Sequence, residues 1–219
     1  MAYEYGPLSR PLKETLAALQ EGLTQEYRLE FLLTHRRSAR RSRRLRRIRG
    51  WIRETDHLVV QIDRVARQTI PRIEQETGHT FRGPDGVARI LMDPSTKRLF
   101  SGVLAGFPEE ALPVPAVDLA LLGNLSDDAR ALGLIADVTL RLKVLSGLHV
   151  PREDVAALCD RWRLHESRIT LRGNPRRAAG TSAREKETLA RAVLGLIYIE
   201  GGTEALGRAA PLLACNQER

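Results

Sequence analysis

Cysteine is scarce in this chain. Cys159 and Cys215 are the only two, with no Cys-x-x-Cys spacing and no histidine placed near either as in a zinc site. A disulfide scaffold and a structural zinc are therefore not expected, and Cys159 reads as a small core residue rather than a nucleophile. Aromatic residues make up only 5% of the sequence, so a core must come mainly from aliphatic side chains within the 42% hydrophobic fraction. There is no apolar run of about eighteen residues and no apolar segment near Met1 that reads as a secretory signal, so no membrane partner is expected and the cytoplasm is the expected location. His35, His57, His79, His149 and His165 are scattered singly, which argues against a histidine metal cluster. No segment sustains the alternation of a β-strand, and an all-α fold is expected.

What the chain has in excess is arginine, concentrated in one place. Nine of the fourteen residues from Arg36 to Arg49 are arginine: Arg36, Arg37, Arg40, Arg41, Arg43, Arg44, Arg46, Arg47 and Arg49. The net charge of the whole chain is +8, so these nine leave the remaining residues about one charge negative. Basicity is thus local, which points to a polyanionic partner rather than to general solubility. The preference for arginine over lysine suits bidentate capture of phosphate by a planar guanidinium. A solvated helix face or a localisation signal is the plainer alternative. Trp51, at the end of the run, either stacks on a base or packs within the helices, and packing is the expectation.

Residues 9 to 34 open with Ser9 as an N-cap and Pro11 in the first turn. Leu12, Leu16, Leu19, Leu23, Tyr27 and Phe31 follow at spacings of three and four, the pattern of an amphipathic helix. Leu45, Ile48, Ile52, Thr55, Val59, Ile62 and Ala66 give a second seam, predicting a helix from about residue 38 to 69 that packs antiparallel on the first. Pro71 is expected to close this unit, because the residue before a proline is pushed out of helical geometry. The division expected is residues 1–70 as an arginine-rich helical hairpin, 71–214 as a second helical domain and 215–219 as a tail. Within the second domain, the stretch from Ser126 to Leu145 is apolar almost all round and reads as a helix buried on most sides. A further helix is expected from about Ser182 to Glu200, stopped by Gly201-Gly202, with Thr203 capping a last one.

Three segments of this second domain resemble the ribonuclease III family. Residues 72–97, RIEQETGHTFRGPDGVARILMDPSTK, are similar to the family's opening segment; ARALGLIADVTL, residues 129–140, falls where its "NERLEFLGDAVL" signature would; ETLARAVLGLIYIEGG, residues 187–202, is similar to its "ADAFEALIGAIYLDGG" helix. The order and spacing of the three carry the resemblance, which spans about residues 71–214. It implies a helical endonuclease domain, usually a symmetric homodimer, in which four carboxylates on two helices hold Mg²⁺ for cleavage of double-stranded RNA. The family's four positions fall here on Gly133, Asp137, Thr188 and Arg191, so one carboxylate of four remains. The family's usual carboxy-terminal RNA-binding domain is not expected in a chain ending at Arg219.

Positions 133 and 137 are one helical turn apart, as are 188 and 191, so all four are expected to converge. Glu185 and Glu187 are expected to point elsewhere. Arg191 is expected to stand in the place of the metal and pair with Asp137. No catalytic residue, bound metal or cofactor is then expected, and the implied function is that of an inactive ribonuclease III-like protein. Its expected partners are structured or double-stranded RNA, through the arginine run with Arg176 and Arg177 adding contacts, a second copy of itself, and a ribosome or ribonucleoprotein. Two alternatives remain. One is an active Mg²⁺-dependent nuclease drawing on Asp127, Asp128 or Glu187. The other is a DNA-binding coiled coil.

Overall fold

The computed structural model describes residues 8–32, 39–108, 111, 114–144, 152–172 and 182–214. Among them every regular element is helical, and the nearest thing to a strand is an isolated parallel bridge between Met92 and Ile169.

Helix α1, Leu12–Leu32, places Leu12, Leu16, Leu19 and Leu23 on one face, and all four are fully buried. Helix α2, Ala39–Arg64, packs against α1 and buries Ile48, Leu58 and Ile62. Each fully buried leucine or isoleucine contributes about 1.5–3 kcal/mol relative to exposure, so this seam is a major share of what holds the two together. Their direction is fixed at both ends: Lys13 Nζ meets Asp63 at 2.7 Å, and Glu30 meets Arg44 Nε at 3.0 Å, so the helices run antiparallel. The N-terminus of α1 is tied to elements far away in sequence. The Leu12 N–H donates to the Asp85 carboxylate at 2.7 Å, and the Ser9 N–H donates to Asp118. The capping role expected of Ser9 thus passes to Asp85, a partner that local sequence cannot reveal.

Pro71 does not end the second helix. A π-helical segment, Val65–Thr69, leads directly into α3, Ile70–Thr77, with the Ile70 N–H reaching back to the Val65 carbonyl. The wider π turn shifts the hydrogen-bond register just before the proline, and Pro71 then sits in the first turn of α3, where an absent N–H costs little. The true stop is Gly78, at φ 64°, a left-handed conformation that glycine adopts without a Cβ penalty.

Beyond it come α4, Pro84–Leu91, a 3₁₀ turn at Pro94–Thr96, α5, Lys97–Gly106, and the long α6, Ala116–Val144. Trp51 packs under α5: a Cβ at Gly106 would come within 2.7 Å of its ring, and its centroid lies 5.8 Å from that of Phe107. Packing is therefore its role, as expected. Helix α7, Arg152–Arg161, precedes the bridge segment, where Gln61 clamps the backbone of Thr170. Its Nε2 donates to the Thr170 carbonyl at 2.8 Å while its Oε1 accepts the Thr170 N–H at 3.1 Å.

Helix α8, Ala183–Ala209, is the central element, with Leu189, Ala190 and every residue from Ala192 to Ile197 buried. Ser182 and Glu185 form a reciprocal capping box at its start. The helix breaks at Gly202, φ 68° and ψ −162°, then resumes, and the short α9, Pro211–Ala214, follows. Among the described elements, helices α6 and α8 share the most extensive contact. They approach so closely at Gly195 that any Cβ there would overlap the Leu132 carbonyl. One contiguous buried cluster runs from Leu8 to Leu213. Helix α6 is not buried all round: Leu134 is 67% and Val138 55% exposed, one turn apart. Its apolar surplus is a strip facing outward rather than a second core face.

Candidate functional site

The close crossing of α6 and α8 decides which side chains meet. From α6, residues 130, 133 and 137 rise on one face at spacings of three and four; from α8, residues 184, 188 and 191 do the same at four and three. Gly133, Asp137, Thr188 and Arg191 are brought together, lining an open groove of about 1140 Å³ whose third wall is α7. Gly133 lies against the other helix, its Cβ position 3.8 Å from the Thr188 carbonyl and 3.9 Å from the Arg191 Cβ.

Arg191 is the hub. Its Nη1 donates to Asp137 Oδ1 across the helix interface, and its Nη2 meets Glu187 Oε1 at 2.7 Å one turn back on α8. The expectation that Glu187 points elsewhere is corrected. Glu187 is about 100° from Thr188 but lies four residues before Arg191, and i and i+4 side chains share a helix face, so the carboxylate and the guanidinium meet. All three side chains are partly shielded, Arg191 at 18% and Asp137 at 24% exposure, and burial pulls the Arg191 guanidinium below its ordinary pKa. Thr188 offers little: its hydroxyl donates to the Arg184 carbonyl at 2.8 Å. Among the described residues no three His, Cys, Asp or Glu side chains converge as metal ligands would.

The other carboxylates considered for catalysis lie off this groove. Asp127 pairs with Arg130 at 3.3 Å on the surface. Asp128 is pushed up by burial, opposed by Arg89 and reinforced by Asp127. On α7, Asp160 holds Lys186 at 2.7 Å and raises its pKa through that hydrogen bond. Cys159 is fully buried and pushed up to about 11 by that burial, the opposite of an activated thiolate.

The groove also gathers three cations that the sequence reading passed over, Arg130, Arg184 and Lys186. The signal for the first two was present: each is one turn from a residue already singled out, Arg130 from Gly133 and Arg184 from Thr188.

The arginine run forms the amino-terminal part of α2. Arg41, Arg43, Arg44, Arg46, Arg47 and Arg49 are exposed. Arg44 is occupied by Glu30 and stacks 5.4 Å from the Phe107 centroid, and Arg47 lies 6.0 Å from the Trp51 ring. Arg43, Arg46 and Arg49, with Arg53 one turn further, pair with no carboxylate among the described residues. Arg40 lies on the helix but its side chain falls outside the described set, as do Arg36, Arg37, Arg176 and Arg177 entirely.

No helix among the described residues is long and apolar enough to cross a membrane. No family model, curated protein or solved structure matches this chain.

Proposed function

We propose that this protein is a catalytically inactive, ribonuclease III-like protein that binds structured RNA, as a component or assembly factor of a ribonucleoprotein such as the ribosome. One observation carries the reading: Arg43, Arg46, Arg49 and Arg53 stand along an exposed face of α2 without carboxylate partners among the described residues. Like-charged guanidinium groups at three- and four-residue spacing repel one another unless an anion lies across them. A helix rises 1.5 Å per residue, so this face extends about 15 Å from Arg43 to Arg53, enough to follow several phosphates. RNA is favoured over DNA by the likeness of residues 71–214 to ribonuclease III domains, which rests on the three sequence segments alone.

The absence of cleavage in this proposal follows from Arg191. A divalent cation needs uncompensated oxygen ligands, and the guanidinium already engages Asp137 and Glu187. A second copy of the chain is the other proposed partner, docking on the strip of Leu134 and Val138. A sedimentation mass of one chain refutes that part.

Binding is tested by titrating duplex RNA at several salt concentrations. The expected result is a steep fall of affinity with salt, and replacing Arg43, Arg46, Arg49 and Arg53 with glutamine should flatten that slope by up to about four charges. A slope unchanged by the four substitutions contradicts the proposal, and preference for duplex DNA over RNA would favour the DNA-binding alternative. The nuclease alternative draws on the meeting of Asp137 and Glu187 in one groove. It predicts Mg²⁺- or Mn²⁺-dependent cleavage of the duplex that Asp137→Asn abolishes.

A further inference from the structure

The α6–α7–α8 groove has a charge pattern that the Arg191 ion pair does not use up. Its walls carry four cations, Arg130, Arg184, Lys186 and Arg191, against three carboxylates, Asp137, Asp160 and Glu187. Each carboxylate is already engaged, Asp137 and Glu187 by Arg191 and Asp160 by Lys186. Arg184 has no ion-pair partner among the described residues, and its carbonyl, not its side chain, takes the Thr188 hydroxyl. Arg130 holds only the exposed Asp127, at 3.3 Å with both side chains more than half exposed, a pair that solvent screens to little value.

Both arginines also line a second cavity of about 460 Å³ that adjoins the first, where Arg168, Ser182 and Glu185 stand beside them, Glu185 being engaged by the Ser182 capping box and by Arg168 at 3.8 Å. Arg168 is committed, with Nη2 3.0 Å from the buried Asp93. Arg130 from α6 and Arg184 from α8 therefore stand at the seam of two cavities, on opposite helices, with no acceptor of their own inside the groove. Two planar guanidinium groups carried on two helices that line the same cavities match the several acceptor oxygens of a phosphate far better than they match a single carbonyl or a cation.

We propose that this groove is a phosphate-binding site in which Arg130 and Arg184 clamp the phosphate of a nucleotide or of a nucleic-acid strand, beside the Lys186–Asp160 and Arg191–Asp137–Glu187 ion pairs that leave no other carboxylate of the groove unpaired. The site is separate from the α2 arginine face. It deepens the RNA-binding reading if the phosphate belongs to a strand, but it does not require that reading, because a free nucleotide presents the same group. The combined cavity is of the size that accommodates a nucleotide.

The test is calorimetric titration of the full chain with AMP and, separately, with a short RNA duplex, on three proteins: the parent, Arg130→Gln/Arg184→Gln, and the α2 variant Arg43→Gln/Arg46→Gln/Arg49→Gln. Circular dichroism melting of each variant verifies the fold. Both groove residues are exposed and single Arg130→Lys and Arg184→Lys variants serve as milder substitutes if the double variant melts early. The expected result is saturable AMP binding that weakens by about tenfold or more in the groove variant and is unchanged in the α2 variant. Duplex binding that also weakens in the groove variant identifies the ligand as a strand, whereas AMP binding alone identifies a free nucleotide. No saturable heat with either ligand, or affinities for both that the groove variant leaves unaltered, overturns the site. Duplex affinity lost only in the α2 variant, together with no AMP binding that the groove variant weakens, supports RNA binding while overturning the groove, so the two proposals fail separately.

Discussion

Arg191 of α8 and Asp137 of α6 form an ion pair across the most extensive helix interface among the described elements, and the same guanidinium reaches Glu187. Truncating the arginine alone leaves two carboxylates facing one another in a partly shielded site. A fully buried pair broken in this way costs about 3–5 kcal/mol, and the remaining exposure of this one reduces the expectation to about 1–3 kcal/mol. Urea denaturation of Arg191→Ala against the parent reads the difference directly. An unchanged midpoint would show that the pair does not contribute.

Two glycines on the same interface should respond in opposite directions. Gly195→Ala drives a Cβ into the Leu132 carbonyl, a backbone atom that can move only if the helices separate, so a loss of about 2–4 kcal/mol is expected. Gly133→Ala meets nothing closer than 3.8 Å and removes the entropic penalty of a mid-helix glycine, so a gain of up to about 1 kcal/mol is expected. Thermal melts of the two variants should bracket the parent, and a destabilised Gly133→Ala would show that the crossing is tighter than described.

Cys159 should make stability fall in alkali. Its folded pKa, about 11, lies above its value of 9.0 when exposed, so the unfolded chain releases the proton first. The contribution is fully present below pH 9.0 and is lost as pH rises towards 11, by roughly 2–3 kcal/mol at the end of that window. Denaturation curves of Cys159→Ala taken across this range should show a shallower decline than the parent. Parallel slopes would contradict the assignment.

Local pattern revealed most of the helices and little of what joins them. The leucine spacing of α1 and the apolar seam of α2 were legible because each face answers to a 3.6-residue period. The continuation through Pro71 was not, since a π turn leaves no composition signal and shifts a register only in three dimensions. Asp85 at the N-terminus of α1 and Gln61 on the Thr170 backbone were equally hidden, because both join residues more than seventy positions apart. At the groove, the convergence of Gly133, Asp137, Thr188 and Arg191 followed from one-turn spacing on two helices. The expectation for Glu187 compares it with its neighbour Thr188, about 100° away on the helix, whereas the comparison that matters is with Arg191, four residues on and on the same face. The apolar composition of α6 predicts burial on most sides, but composition does not record which face lacks a neighbour, and the strip of Leu134 and Val138 is such a face.

RNA binding without cleavage is read in one native gel in which the full chain meets a radiolabelled RNA duplex in Mg²⁺ buffer, with the duplex recovered afterwards and sized under denaturing conditions. The expected result is a retarded complex whose RNA is recovered at full length. A duplex that is cut, or one that is never retarded at low salt, would contradict it.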